Sequence, residues 1–146
     1  MRLEVTRKSE LAVRVLQCLA SSDGLRKGAD LAASVHSSPG FLAQTISPLA
    51  QRGWVTSDPG PAGGYRLVAD PATITLLDVI EAVEGPIHSK RCVVSKQDCG
   101  RAGQCLMHHS WHRARRNLTE SLSAIAVLDA DLPVPAPAPT PTSAKR

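Results

Sequence analysis

Three cysteines and a histidine fall within seventeen residues of this 146-residue chain: Cys92, Cys99, Cys105 and His108, separated by six, five and two residues. Thiolate and imidazole are the side chains best suited to transition metals of the softer kind. Apart from Val93 and Val94, the residues between the first and last cysteines are polar, charged or small, so the segment can wrap an inorganic centre and aim amide hydrogens at sulfur. Zinc accepts such a set, but structural zinc sites pair two ligands on a tight Cys-x2–4-Cys turn, and the gaps here are wider. An iron–sulfur cluster tolerates wide gaps, and histidine replaces thiolate on one iron of some [2Fe–2S] centres, which favours [2Fe–2S] over [4Fe–4S]. Metal-free thiols exchanging as disulfides among Cys92, Cys99 and Cys105 are the third possibility. A cysteine–histidine pair also serves as nucleophile and base, but no acyl or phosphoryl site surrounds this one. The expectation is that the chain is not an enzyme.

These donors must be positioned by a modest core. Aromatic residues are 3% of the chain, so the interior has to come from Leu, Val, Ile and Ala, which suits packed helices. The net charge of +4 and pI near 9.1 mildly favour a polyanionic partner. There is no run of apolar residues long enough for a membrane span, and Met1-Arg2-Leu3-Glu4 lacks the apolar stretch of a secretory signal. A cytoplasmic, nucleoid-associated protein is expected, and in a reducing compartment clustered thiols are metal or redox groups rather than structural bridges.

Periodicity predicts a first helix over about 9–20, with Leu11, Val15, Cys18 and Leu19 on one face and Cys18 a small core residue. A short helix over 28–35 turns Leu31 and Val35 inward. Ser38 and Pro39 supply an N-cap and a first helical residue for a third helix over 39–52, with Leu42, Ile46 and Leu49 as its buried stripe. Two short helices joined by a tight polar turn read as a helix-turn-helix. Pro48 sits inside the third helix and predicts a kink or an irregular last turn. Strands at 54–57 and 65–68 flank Asp58-Pro59-Gly60-Pro61-Ala62-Gly63-Gly64, which makes a hairpin, or wing. The glycines do not read as a phosphate loop, because neither the strand–loop–helix order nor a following Lys-Ser/Thr is present. Thr75, with Asp78 three residues on and Ile74 stapled to Val79, opens a fourth helix whose Leu77, Ile80 and Val83 face inward and which Gly85-Pro86 ends.

A last helix over 104–128 carries a heptad-like seam of Met107, Trp111, Ala114, Leu118, Ser121, Ile125 and Leu128, longer than so small a domain can cover. A second copy is the expected partner, with Met107, Trp111, Leu118 and Ile125 at the dimer contact. The fold class is thus mainly α: a winged helix-turn-helix with a two-stranded wing and a long C-terminal dimerisation helix. Residues 1–85 form the DNA-binding domain, 86–103 the cysteine loop, 104–131 the dimerisation helix, and 132–146 an extended tail rich in Pro and Ala.

From Met1 to about Leu128 the chain resembles the Rrf-two family of bacterial regulators, the group with IscR-, NsrR- and RirA-type members. The resemblance rests on Met1-Arg2-Leu3, Leu11-Ala12-Val13, Ser38 to Leu42, Gly60-Pro61-Ala62-Gly63-Gly64-Tyr65, Val79-Ile80-Glu81-Ala82-Val83-Glu84-Gly85 and the Cys92/Cys99/Cys105 trio. It implies a DNA-binding regulator holding a [2Fe–2S] or [4Fe–4S] cluster and responding to iron or cluster status, redox state or nitric oxide. His108 is similar to the histidine ligand of IscR-type members. Glu10 matches the acidic residue that, in NsrR-type members, comes from the partner subunit. His108 is preferred as the better iron ligand and the sequence neighbour of Cys105, whereas His112, a turn further on, reads as a surface residue.

On double-stranded DNA the start of the third helix would enter the major groove, with Ser38, Pro39, Gly40 and Gln44 nearest the bases and Gln44 able to pair with adenine. Arg7 and Lys8, with Arg52 a weaker candidate, would contact phosphates. The wing departs from the IscR pattern: Pro59, beside Asp58, stands where those members place arginine, leaving Arg66 as the only cation nearby. A dimer with two such heads predicts an inverted-repeat operator. The same fold with thiol–disulfide sensing, or with a structural zinc, is the alternative reading.

Overall fold

The computed structural model describes residues 5–87 and 105–131. Cys92 and Cys99, and the Pro- and Ala-rich segment expected over 132–146, lie outside the described residues.

Helix α1 (Arg7–Ala20) is the centre of the molecule. It starts two residues before the sequence pattern suggested, because the Thr6 side chain accepts the Ser9 N–H at 3.3 Å and so caps it there. Its buried arc is also wider than a single stripe. Ala12, Val13 and Leu16 join Leu11, Val15 and Leu19 in the core, since α1 is packed by neighbours on several sides. Cys18 is half-buried at the edge of that core rather than inside it, and Arg26 Nη1 lies 3.2 Å from its sulfur.

Helix α2 (Gly28–Ser34) and helix α3 (Pro39–Gln51) form the expected pair. Between them His36 adopts φ 53°, a left-handed conformation that reverses the chain. Ser38 Oγ accepts the Phe41 N–H at 3.3 Å, so the cap read from the sequence is made. Leu42, Thr45, Ile46 and Leu49 are buried. Helix α3 runs through Pro48 without ending. The chain leaves it by a Schellman turn in which Trp54 N–H reaches Leu49 O at 3.1 Å and Gly53 N–H reaches Ala50 O at 2.9 Å, with Gly53 at φ 73°.

Strands β1 (Val55–Asp58) and β2 (Gly64–Leu67) pair antiparallel with Val55 opposite Leu67 and Asp58 opposite Gly64. Each is offset by one residue from the sequence expectation. The hairpin does not stand alone: Arg26 and Tyr65 exchange backbone hydrogen bonds at 2.7 and 2.8 Å, tying the wing to the segment before α2. That approach requires glycine, since a Cβ at Gly64 would lie 2.1 Å from Arg26 O and one at Gly63 would lie 2.0 Å from Asp58 O.

Helix α4 (Leu76–Glu84) opens with the full capping box, Asp78 N–H to Thr75 Oγ1 at 3.2 Å and Thr75 N–H to Asp78 Oδ2 at 2.9 Å. Ile80 is buried and Val83 packs on the core, as expected of its inward face. Val79 is buried beside them and Leu76 also packs on the core, whereas Leu77, expected inward, is only half-buried. Gly85, at φ 90°, ends the helix as expected.

Helix α5 (His108–Ser123) is shorter than the helix expected over 104–128. At one end Cys105 to Met107 form a turn, and at the other the chain leaves the helix before Ile125 and Leu128. The reason is tertiary. Leu76 N–H bonds to Ile125 O at 2.9 Å and Val127 N–H to Ile74 O at 2.7 Å, so residues 125–127 pair with the entrance to α4 instead of continuing the helix. Gln17, from α1, donates to Val127 O and Ala130 O at 2.9 and 2.8 Å, and Val127 is fully buried.

Candidate metal centre and nucleic-acid interface

Two of the four sequence-predicted metal donors are described. Cys105 and His108 are both half-buried at the entrance to α5, one turn apart, with the His108 N–H bonded to Cys105 O at 3.0 Å. The local chain therefore presents a thiol and an imidazole from a single turn, the sulfur and nitrogen donors that iron or zinc would accept. Among the described residues no three His, Cys, Asp or Glu side chains are gathered for a metal ion. A complete set of three thiolates and one imidazole requires Cys92 and Cys99. Two other histidines have rings near that of His108: the His108 and His109 ring centres are 5.5 Å apart, and those of His108 and His112 are 4.3 Å apart. Loss of hydration, then the positive charge of His108, Arg115, Arg116 and His109, hold the His112 imidazole below its ordinary pKa.

Glu10, the alternative fourth ligand, occupies a different place. Its Oε1 accepts from Arg14 Nη2 at 3.0 Å and from Arg14 Nε at 3.2 Å. It lines a cleft of about 420 Å³ with Val5, Arg7, Arg14, His36 and Phe41, and the lining includes neither Cys105 nor His108. The chain does not bring Glu10 together with its own Cys105 and His108 there. Arg14 was not singled out from the sequence, although its spacing of four from Glu10 is the local signal for the pair.

Glu84 had no role in the sequence reading. Its carboxylate Oε1 accepts from the Thr6 N–H at 3.0 Å, from the Thr6 hydroxyl at 2.9 Å and from the Ser9 hydroxyl. The last residue of α4 thus holds the first turn of α1, favourably placed for a negative charge. Burial alone would raise the Glu84 pKa, but the bonds from Ser9 and Thr6 outweigh it and leave the carboxyl below its ordinary value. A lowered native pKa means stability that is present above the unfolded carboxylate value of about 4.3 and lost as pH falls through the native one. Glu84→Gln is expected to lower stability at pH 7 by no more than about 1 kcal/mol, given the exposed setting. The gap to wild type should close below that window, as read by urea denaturation at a series of pH values.

The predicted DNA-contact residues are brought together in part. Ser38, Pro39, Gly40 and Gln44 are all exposed along the first two turns of α3, and Ser47, not singled out from the sequence, is exposed one turn beyond Gln44. Arg7 is exposed at the start of α1, Lys8 is half-buried, and Arg66 is exposed on β2. On α5 no residue is buried. Trp111 is half-buried, while Met107 and Leu118 are each 43% exposed and Ile125, past the helix end, is 37% exposed. Among the described residues no helix is long and apolar enough to cross a membrane.

The sequence profile of Rrf2, described as an iron-dependent transcriptional regulator, matches residues 5–130. The chain belongs to the Rrf2 family. As an Rrf2 protein it is 36% identical over 99 residues to the HTH-type transcriptional regulator IscR of Vibrio vulnificus, a match covering 68% of this chain and 58% of that protein. The match to IscR of Xenorhabdus nematophila is 32% identical over 127 residues, 86% of this chain and 77% of the relative. Among solved structures, the Rrf2 fold here is similar to CymR, the global cysteine regulator of B. subtilis, with a TM-score of 0.69 at 28% identity, covering 88% of this chain and 95% of that one. It is also similar to T. potens IscR, with a TM-score of 0.67 at 26% identity, covering 87% and 85%.

Proposed function

We propose that this Rrf2 protein is a homodimeric, cytoplasmic DNA-binding regulator whose operator affinity is set by an iron–sulfur cluster on Cys92, Cys99, Cys105 and His108. The observation that carries the reading is the placement of Cys105 and His108 at one end of α5, whose other end is fastened through residues 125–130 to α1 and α4. When bound, the cluster would supply a tie, sensitive to iron and redox state, between the cysteine segment and α5. The chain's own residues do the rest. The half-exposed apolar side chains of Met107, Leu118 and Ile125, with Trp111, support pairing with a second copy. Two copies would present two α3 helices to the major grooves of an inverted-repeat site, with Gln44 hydrogen-bonding adenine and Arg7, Lys8 and Arg66 on phosphates. Coupling between a tie at one end of α5 and the spacing of the two α3 helices is worth roughly 1–3 kcal/mol in systems of this kind. A [2Fe–2S] centre suits a set with one imidazole.

The likeness to CymR supports a second reading, in which the same three thiols respond to oxidants or thiols without metal. Anaerobic purification separates the two. The cluster reading expects a brown protein containing iron and acid-labile sulfide, with operator affinity that differs between the loaded and bare forms. A colourless protein that cannot be reconstituted, or loaded and bare forms of equal affinity, would refute it.

A further inference from the structure

His112 lies one turn beyond His108 on α5 and has no part in the function proposed above. The two imidazoles stand at positions i and i+4, the spacing that puts side chains over one another on one helix face. Their ring centres are 4.3 Å apart with planes inclined at 47°. Two imidazoles sharing an ion at ~2.0–2.1 Å from each ring nitrogen bring their ring centres to roughly 4.5–5 Å, so small side-chain rotations convert the observed pair into a chelate. His109 cannot take the same place, since adjacent helical positions face different ways and its ring stands at 87° to that of His108.

We infer that His108 and His112 form a two-histidine site for a divalent transition-metal ion, separate from the three thiolates. His112 is exposed, so the ion arrives from solvent and water completes its shell. The chemistry selects the ion class. Calcium and magnesium need oxygen ligands, and the only acidic residue of α5, Glu120, is two turns beyond His112. Arg113, Arg115 and Arg116 add positive charge nearby, which penalises any cation and leaves the ions that bind imidazole most strongly, copper first, then nickel and zinc. His108 is common to this pair and to the proposed cluster set. An ion on the pair and a cluster using His108 therefore exclude each other, a consequence that rests on the proposed function, whereas the pair itself does not.

The test uses the full chain carrying Cys18→Ala, Cys92→Ser, Cys99→Ser and Cys105→Ser, which removes all four thiols, with Cu²⁺ as the probe. Equilibrium dialysis and electron paramagnetic resonance are expected to show an ion held by two imidazole nitrogens. Adding His112→Ala should weaken its binding about tenfold or more, by loss of the second arm of the chelate, while His109→Ala leaves it unchanged. Equal Cu²⁺ affinity with and without His112 overturns the proposal. If circular dichroism shows the cysteine-free variant unfolded, the same comparison is made between wild type and His112→Ala after alkylating the thiols. No cluster is assembled in either arm. Failure here leaves the cluster reading standing, and failure of wild type to take up iron leaves this site standing.

Discussion

Cys105→Ser is expected to lose bound iron and to bind operator DNA with the affinity of the cluster-free protein, whatever the iron supply. Serine matches cysteine closely in size, and Cys105 is half-buried at a turn rather than in the core, so the fold should be retained. What changes is the donor, because a hydroxyl at neutral pH does not replace a thiolate on iron. With the tie removed, the variant should differ from loaded wild type by the full coupling, roughly 5- to 150-fold in operator affinity. Iron and sulfide assays read the first half of this expectation and a gel-shift titration the second. A Cys105→Ser protein that kept its iron and its iron response would remove Cys105 from the centre and leave the fold without the proposed switch.

The second large effect is on the reading helix. Leu42→Ala should cost about 2–5 kcal/mol, the range for deleting a buried leucine in a packed core. Leu42 is essentially solvent-free on α3 and belongs to the cluster that includes Leu16, Leu31 and Leu49. A domain of this size has about 5–15 kcal/mol in total, so the substitution takes a large share of it. Urea denaturation should show an earlier midpoint, and operator affinity should fall because the exposed face of α3 is held in place only by its buried one. A Gln44→Ala protein, by contrast, should unfold like wild type, since Gln44 is exposed. If Leu42→Ala unfolded at the wild-type midpoint, the packing of α3 described above would be wrong.

The parts of this fold that were legible in the sequence are those fixed by neighbours in the chain. Ser38-Pro39 and Thr75 with Asp78 announce α3 and α4 because a cap is a contact over three residues. The helix-turn-helix and the wing follow from the same short-range chemistry. The misread parts are settled by distant partners. Ile125 and Leu128 continue the helical spacing of Leu118 and Ser121, yet residues 125–127 leave the helix because Ile74 and Leu76 offer backbone hydrogen bonds. Leu77 was placed inward on a periodic pattern that Val79 fits better once α1 is beside it. Glu84 shows the limit most plainly: its partners, Thr6 and Ser9, lie 78 and 75 residues away, and a lone acidic residue at a helix end gives no sign of them. In the candidate centre, spacing proposes the donors, while the nearness of His108 and His112 emerges only once both stand on one helix face.

The attachment of residues 125–130 to α1 and α4 fixes the C-terminal end of α5 to the body of the domain. Its sixteen residues span about 24 Å at 1.5 Å per residue, with Cys105 and His108 at the opposite end. A displacement of about 1 Å at that end then corresponds to a rotation of only about 2–3° about the attached one, so the proposed cluster would act on the domain through a small angle.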